Sequence, residues 1–146
     1  MTQQLFYQTL RTHQWIYEHT DGFLGHRLLL GNPTLLLRTT GRRSGLPRTN
    51  ALTYAPDGDA YLIVASKGGA PEPPAWLVNL EANPDCEIQV GRRRLHVTAR
   101  ATRPDDPDYA RRWAIVNAVN KDRYTAYQRK TDRPIAIVEL RPAPAA

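Results

Sequence analysis

The chain has 146 residues, with 20 Lys and Arg against 14 Asp and Glu, a formal net charge of +6, and 41% hydrophobic residues. That length and composition predict a single domain over residues 1–146, and the lone cysteine, Cys86, excludes an internal disulfide or a cysteine-rich zinc site. The basic surplus points to an anionic partner, while no apolar run approaches the roughly 18–20 residues of a spanning helix.

The start shows no secretory signal pattern, so the expected location is cytoplasmic, with any membrane contact peripheral at the inner face. Thr2 to Thr20 fits an amphipathic helix: Phe6, Leu10, His13 and Tyr17 recur near one face, and Asp21-Gly22 ends it. Residues 1–22 therefore read as a helix packed on the core, or as a lid or membrane-surface element near a lipid-soluble substrate.

After Asn32-Pro33, Thr34 to Thr40 reads as a strand, Gly41 to Arg48 as a basic turn, and Thr49 to Ala55 as a second strand. Pro56-Asp57-Gly58-Asp59 has hairpin-turn chemistry, and Tyr61 to Ser66 is a third strand with a buried centre, Leu62-Ile63-Val64. Lys67 to Pro74 is a loop rich in glycine and proline. Ala75 to Leu80 follows as a short helix entered through Pro74 and closed by Asn83-Pro84. Glu87–Val90 and Leu95–Ala101 are strands joined by Gly91-Arg92-Arg93-Arg94. Residues 105–120 are helical, a second short helix carries Tyr124 and Tyr127, and Pro134 to Leu140 is the last strand. Residues 141–146 are expected to fray. About six strands joined by tight turns favour antiparallel pairing, hence a small antiparallel barrel with added helices, an α+β fold dominated by β-structure.

Hydrolytic, metal and nucleotide signatures are absent. His13, His19, His26 and His96 lack metal-ligand spacing, and no GxSxG, GxGxxG or P-loop occurs. Three features carry chemistry. Gly41-Arg42-Arg43-Ser44-Gly45-Leu46-Pro47-Arg48 is either a solvated basic turn or an anion nest edged by planar guanidinium donors. Ala65-Ser66-Lys67-Gly68-Gly69 is either an ordinary glycine loop or a wrap for a ligand's polar edge. Trp76 and the pair Tyr124 and Tyr127, three apart on one helix face, are either core aromatics or pocket walls. The charges around the tyrosines, Lys121, Arg123, Arg129 and Lys130, predict a half-exposed pair.

In this order GRRSGLPRTNALTY, VASKGGAPEPPAWLVNLEANP and YTAYQRKTDRPIAIVEL resemble the deazaflavin-dependent nitroreductase and quinone reductase family of split β-barrel oxidoreductases. The resemblance covers about Leu35 to Leu140. It implies an FMN-binding-like split barrel and an enzyme that uses reduced coenzyme F420, an 8-hydroxy-5-deazaflavin with a phosphate and oligoglutamate tail. Hydride would pass to an electron-poor acceptor: a quinone, one held in a membrane included, a nitro compound or an enone.

By the same resemblance Arg42, Arg43, Ser44 and Arg48 would hold the tail, and Asn50 and Ala51 would flank the cofactor. Ala65, Ser66, Lys67 and Gly68 would line the deazaflavin. Pro74, Ala75 and Trp76 would pack on its other side, with Asn79 in support. Tyr124 and Tyr127 would stand at the acceptor, Tyr124 as hydrogen-bond donor or proton source. Two positions depart from the family's pattern: Lys121 replaces a tyrosine of the nitroimidazole-activating members, and Thr53 an aromatic. Both would face the acceptor and imply a different acceptor range. No metal is required. The alternatives are an FMN-dependent oxidoreductase of the same fold, or a basic nucleic-acid-binding module using Arg92-Arg93-Arg94; nucleic acid is not the expected partner.

Overall fold

The computed structural model describes residues 32–143; the expected helix at 1–22, three of the four histidines and residues 144–146 lie outside the described residues. The described strands are β1 (Thr34–Thr40), β2 (Pro47–Thr53), β3 (Ala55–Asp57), β4 (Ala60–Val64), β5 (Asp85–Val90), β6 (Arg93–Thr102) and β7 (Ile137–Pro142). The helices are α1 (Ala75–Ala82), α2 (Tyr109–Val119) and α3 (Arg123–Gln128), and Lys67–Gly69 forms a single 3-10 turn.

All seven strands join one sheet in the order β2-β1-β5-β6-β7-β4-β3, and every pairing is antiparallel. The two edge strands, β2 and β3, are consecutive in the chain and separated only by Tyr54. A sheet whose opposite edges are linked through one residue must curl until those edges meet, which makes it a split barrel. The expected second strand, Thr49 to Ala55, is therefore two strands. It pairs with β1 as far as Thr53 and with β4 from Ala55 on. Pro56 and Asp57, expected in the turn, belong to β3, and the reversal itself falls on Gly58-Asp59. Proline is tolerated there because β3 is an edge strand with an unpaired side.

Strand alternation sorts the core. Ile63 of β4 and Leu35 and Leu37 of β1 pack inside the barrel with Trp76, Leu77 and Leu80 of α1. Leu62 and Val64 point to the other face, where Tyr109 and Val116 of α2, Tyr124 of α3 and Ile137 of β7 cover them. β4 thus buries both faces, which accounts for its unbroken apolar centre. Each fully buried aliphatic side chain contributes about 1.5–3 kcal/mol. β7 runs on through Arg141 and Pro142, expected to fray, because both still pair with β6. Among the described residues no helix is long and apolar enough to cross a membrane.

Candidate active site

A cavity of about 690 Å³ opens between the β1–β2 hairpin, the edge strand β2, the turn after β4, the start of α1 and the face of α3. Every residue assigned from the sequence to the cofactor or to catalysis lines it except Ala65. Alternation explains the exception. Ala65 follows Ile63 onto the inner core face, whereas Val64 and Ser66 turn to the cavity.

The basic hairpin is built by its glycines. Gly41 N–H donates to Leu46 O at 2.8 Å, Gly45 N–H donates to Gly41 O at 2.8 Å, and the Leu46 amide donates to Ser44 Oγ at 3.1 Å. A Cβ on Gly41 would stand 2.7 Å from Ser44 Oγ, so a larger residue would displace the Ser44 hydroxyl from the turn. Buried Asn79 of α1 moors the hairpin: its Oδ1 accepts from the Arg42 amide at 3.2 Å and from Arg42 Nη1 at 3.4 Å. Arg43 and Arg48 are exposed, line the cavity and form no ion pair among the described residues.

The second wall is strained. Lys67, Gly68 and Gly69 take φ of 45°, 65° and 84°, three left-handed residues in succession. Lys67 is not a glycine, so its backbone costs of order 1–3 kcal/mol and must be held by its surroundings. Gly69 lies against α3, where a Cβ would stand 2.5 Å from Tyr127 O. At the third wall Pro74 enters α1 with φ −65°, Ala75 is exposed to the cavity, and Trp76 is 5% exposed. Trp76 is thus chiefly a core residue with one edge on the site.

Residues of α3 close the fourth wall. Lys121 and Asp122 are left-handed, φ 53° and 60°, and break the chain sharply between α2 and α3. Asn117 clamps this corner: its carbonyl accepts from Asp122 N–H at 2.9 Å and its Oδ1 accepts from Thr125 N–H at 3.1 Å. The corner turns Lys121 to solvent and off the cavity wall, contrary to the expectation that it faces the acceptor; Asn120 and Arg123 stand there instead. Thr53 does line the cavity.

The tyrosine pair is less exposed than expected. Tyr124 is 7% exposed and Tyr127 half-buried, with the rings edge to face at 6.3 Å. Burial, reinforced by Tyr127 and opposed by Arg123, holds the Tyr124 phenol well above its ordinary pKa. The hydroxyl is therefore neutral. Cys86, half-buried in β5, has its thiol pushed up to about 12, chiefly by burial, and takes no part in the cavity. Among the described residues no group of three or more His, Cys, Asp or Glu side chains could hold a metal ion.

Among the described residues the cavity wall carries five cationic side chains, Arg42, Arg43, Arg48, Lys67 and Arg123, and no carboxylate. Sequence reading missed Arg123, Asn120, Thr49, Leu52 and Val64. The placement of Arg123 and Asn120 follows from the α2–α3 corner, that of Thr49 and Leu52 from β2 being an edge, and that of Val64 from the face of β4 it shares with Leu62.

Comparison with known proteins gives the lineage. The family model for F420H(2)-dependent quinone reductase matches residues 9–142. An F420H(2)-dependent quinone reductase of Mycobacterium tuberculosis (strain ATCC 25618 / H37Rv) is 59% identical over 133 residues, covering 91% of this chain and 89% of that protein. Among solved structures, an F420-H2 dependent reductase matches with a TM-score of 0.66 and 35% identity over 74% of this chain and 93% of its own. A structure described as a domain-swapped dimer matches with a TM-score of 0.67 and 32% identity over 87% of this chain and 97% of its own. With nearly the whole chain matched, a fold shared with a solved relative, and a cavity whose described charged residues are all cationic, the chain belongs to the F420H(2)-dependent quinone reductase family.

Proposed function

We propose that the cavity seats reduced coenzyme F420 with its anionic tail on Arg42, Arg43, Ser44 and Arg48 and its ring system between β2, the turn at Ser66–Gly68 and the start of α1. The enzyme is an F420H2-dependent reductase of quinone-type acceptors. The observation that carries the placement is the wall itself: among the described residues, five cations, no carboxylate, and apolar surface from Ala51, Leu52, Val64, Pro74 and Trp76 in one cavity. A flat, largely apolar ring with a polyanionic tail fits that combination. Asn50 and Ala51 flank the ring from β2, and Asn79 serves by fixing Arg42.

When bound, the reduced deazaflavin supplies the hydride. This chain's own residues bind, orient and exclude water. Tyr124 and Tyr127 form the acceptor end with Thr53, Asn120 and Arg123. The Tyr124 hydroxyl, kept neutral by burial, donates a hydrogen bond to a quinone oxygen as negative charge grows on it. Its raised pKa makes it a hydrogen-bond donor rather than the proton source. Arg123 adds positive potential at the same end, and the proton that completes the hydroquinone comes from solvent.

The test is direct. Protein is mixed with reduced F420 and a panel of quinones, nitroaromatics and enones, a membrane-held quinone in vesicles included. Return of the oxidised cofactor's absorbance is then followed. Turnover with quinones is the expected result. No binding of F420 would sink the proposal.

A further inference from the structure

Arg133 lies outside the cavity wall and has been given no role so far, yet it makes an unusual set of contacts. Its Nη1 donates to Ala65 O at 3.0 Å, its Nη2 to Ser66 O at 2.8 Å and its Nε to Ala70 O at 3.0 Å. One guanidinium thus brackets the strained turn Lys67–Gly69 from both ends. Its partners are all neutral carbonyls, and no carboxylate pairs with it among the described residues. Burial pulls its pKa down from the ordinary arginine value, but an arginine so placed remains a cation.

The segment carrying Arg133 is itself fixed. Gln128, the last residue of α3, donates through Nε2 to Arg133 O at 2.8 Å and accepts through Oε1 from the Ile135 amide at 2.9 Å. The guanidinium is therefore tied to the same helix that presents Tyr124 and Tyr127.

Peptide geometry gives this arrangement a consequence for the site. Every described peptide bond is trans, so a carbonyl turned toward Arg133 turns the following N–H the opposite way. The carbonyls of Ala65 and Ser66 face the guanidinium, so the N–H groups of Ser66 and Lys67 face away from it. Ser66 and Lys67 both line the cavity, and neither N–H meets an acceptor among the described residues.

We propose that Arg133 is a positioning residue that holds the Lys67–Gly69 turn in its left-handed form and so presents the Ser66 and Lys67 amides as a pair of donors to the acceptor-rich edge of the bound deazaflavin. The proposal rests on the cofactor reading above. It assigns to Arg133 a task distinct from that of the hairpin arginines: they attract the tail, whereas Arg133 shapes the seat of the ring.

The experiment separates these tasks with two ligands, oxidised F420 and the same deazaflavin lacking the phosphate and glutamate tail, each titrated by fluorescence. Arg133→Met is expected to lose affinity roughly tenfold for both ligands, the scale of charge-assisted hydrogen bonds removed behind the turn. Amide exchange at Gly69 and Ala70, whose N–H groups bond Ser66 O and Lys67 O, should quicken while β1 and β5 stay protected. In Arg133→Ala, about 20 mM guanidinium chloride should recover part of the affinity for the tail-less ligand where equal sodium chloride does not. That rescue distinguishes a guanidinium-specific role from general loosening.

Arg133→Lys keeps the charge but cannot reach all the carbonyls at once. It should fall between wild type and Arg133→Met, and it carries the same comparison if the larger change prevents folding. Unchanged affinity in a folded variant, a loss confined to the tailed ligand, or a loss with no guanidinium rescue would each overturn the role. Failure of the wild-type protein to bind either ligand would strike the cofactor reading instead.

Discussion

At the scale of single residues, the site separates charge from chemistry. Arg43 and Arg48 stand exposed at the rim. Replacing either by alanine should weaken F420 binding several-fold, with the loss shrinking when the glutamate tail is trimmed and when salt is raised. A binding titration across tail lengths reads this out. Tyr124 is different: it is buried and neutral, and its hydroxyl is the donor at the acceptor end. Tyr124→Phe should lower kcat by about a hundredfold to a thousandfold with little change in cofactor affinity, as removal of one preorganised donor does. Stopped-flow turnover beside a binding titration checks the split. Its phenol lies well above the ordinary pKa, so kcat should show no loss from tyrosine ionisation between about pH 6 and 9.

At the scale of elements, the turn after β4 and helix α3 act as one piece. Gly69 has φ 84°, and a Cβ there would meet Tyr127 O at 2.5 Å and Lys130 Cβ at 2.9 Å. Gly69→Ala should therefore push α3 away from the turn, destabilising the protein by about 1–3 kcal/mol and lowering turnover more than Arg43→Ala does. Denaturant unfolding with parallel kinetics measures both. Much of this level was legible in the sequence. The short helices, the basic hairpin and the glycine turn announce themselves through proline, glycine and apolar spacing. The split of one expected strand at Tyr54 did not, because pairing partners are chosen by the whole sheet and leave no mark in a run such as Leu52-Thr53-Tyr54-Ala55. The break between α2 and α3 was expected, but its left-handed geometry was hidden. Lys121 and Asp122 are ordinary helix-surface residues until Asn117 holds them in the left-handed region. That is why Lys121 faces solvent and why Arg123 emerged only from the structure.

At the scale of the molecule, α2 is tied to the sheet by charge. Arg112 of α2 is buried and donates to Glu139 of β7 and, through Nε, to Asp57 of β3 at 3.2 Å, while Arg111 and Arg141 bind the same carboxylates from outside. The Arg111 hydrogen bond leads in holding Asp57 below its ordinary pKa. Burial pushes Glu139 up, but Arg141 and Arg112 together outweigh it and bring it below. Groups with lowered pKa stabilise the fold above their unfolded values and lose that contribution as pH falls through the folded ones. Stability should thus be flat above about pH 5 and decline on further acidification. Arg112→Met should cost about 3 kcal/mol near pH 7 and less near pH 3, as acidification begins to protonate its partners. Chemical denaturation at the two pH values decides this.

The single residue between β2 and β3 has one more consequence. Tyr54 is a covalent clasp across the seam of the barrel, and its amide is fastened to Pro33 O at 3.1 Å. β2 is also a wall of the cavity, so the site cannot be widened by parting the sheet's two edges. Ligands of different girth must be accommodated from the side of the hairpin, the glycine turn and α3. For anyone reshaping this enzyme, the clasp marks the boundary between scaffold and adjustable rim.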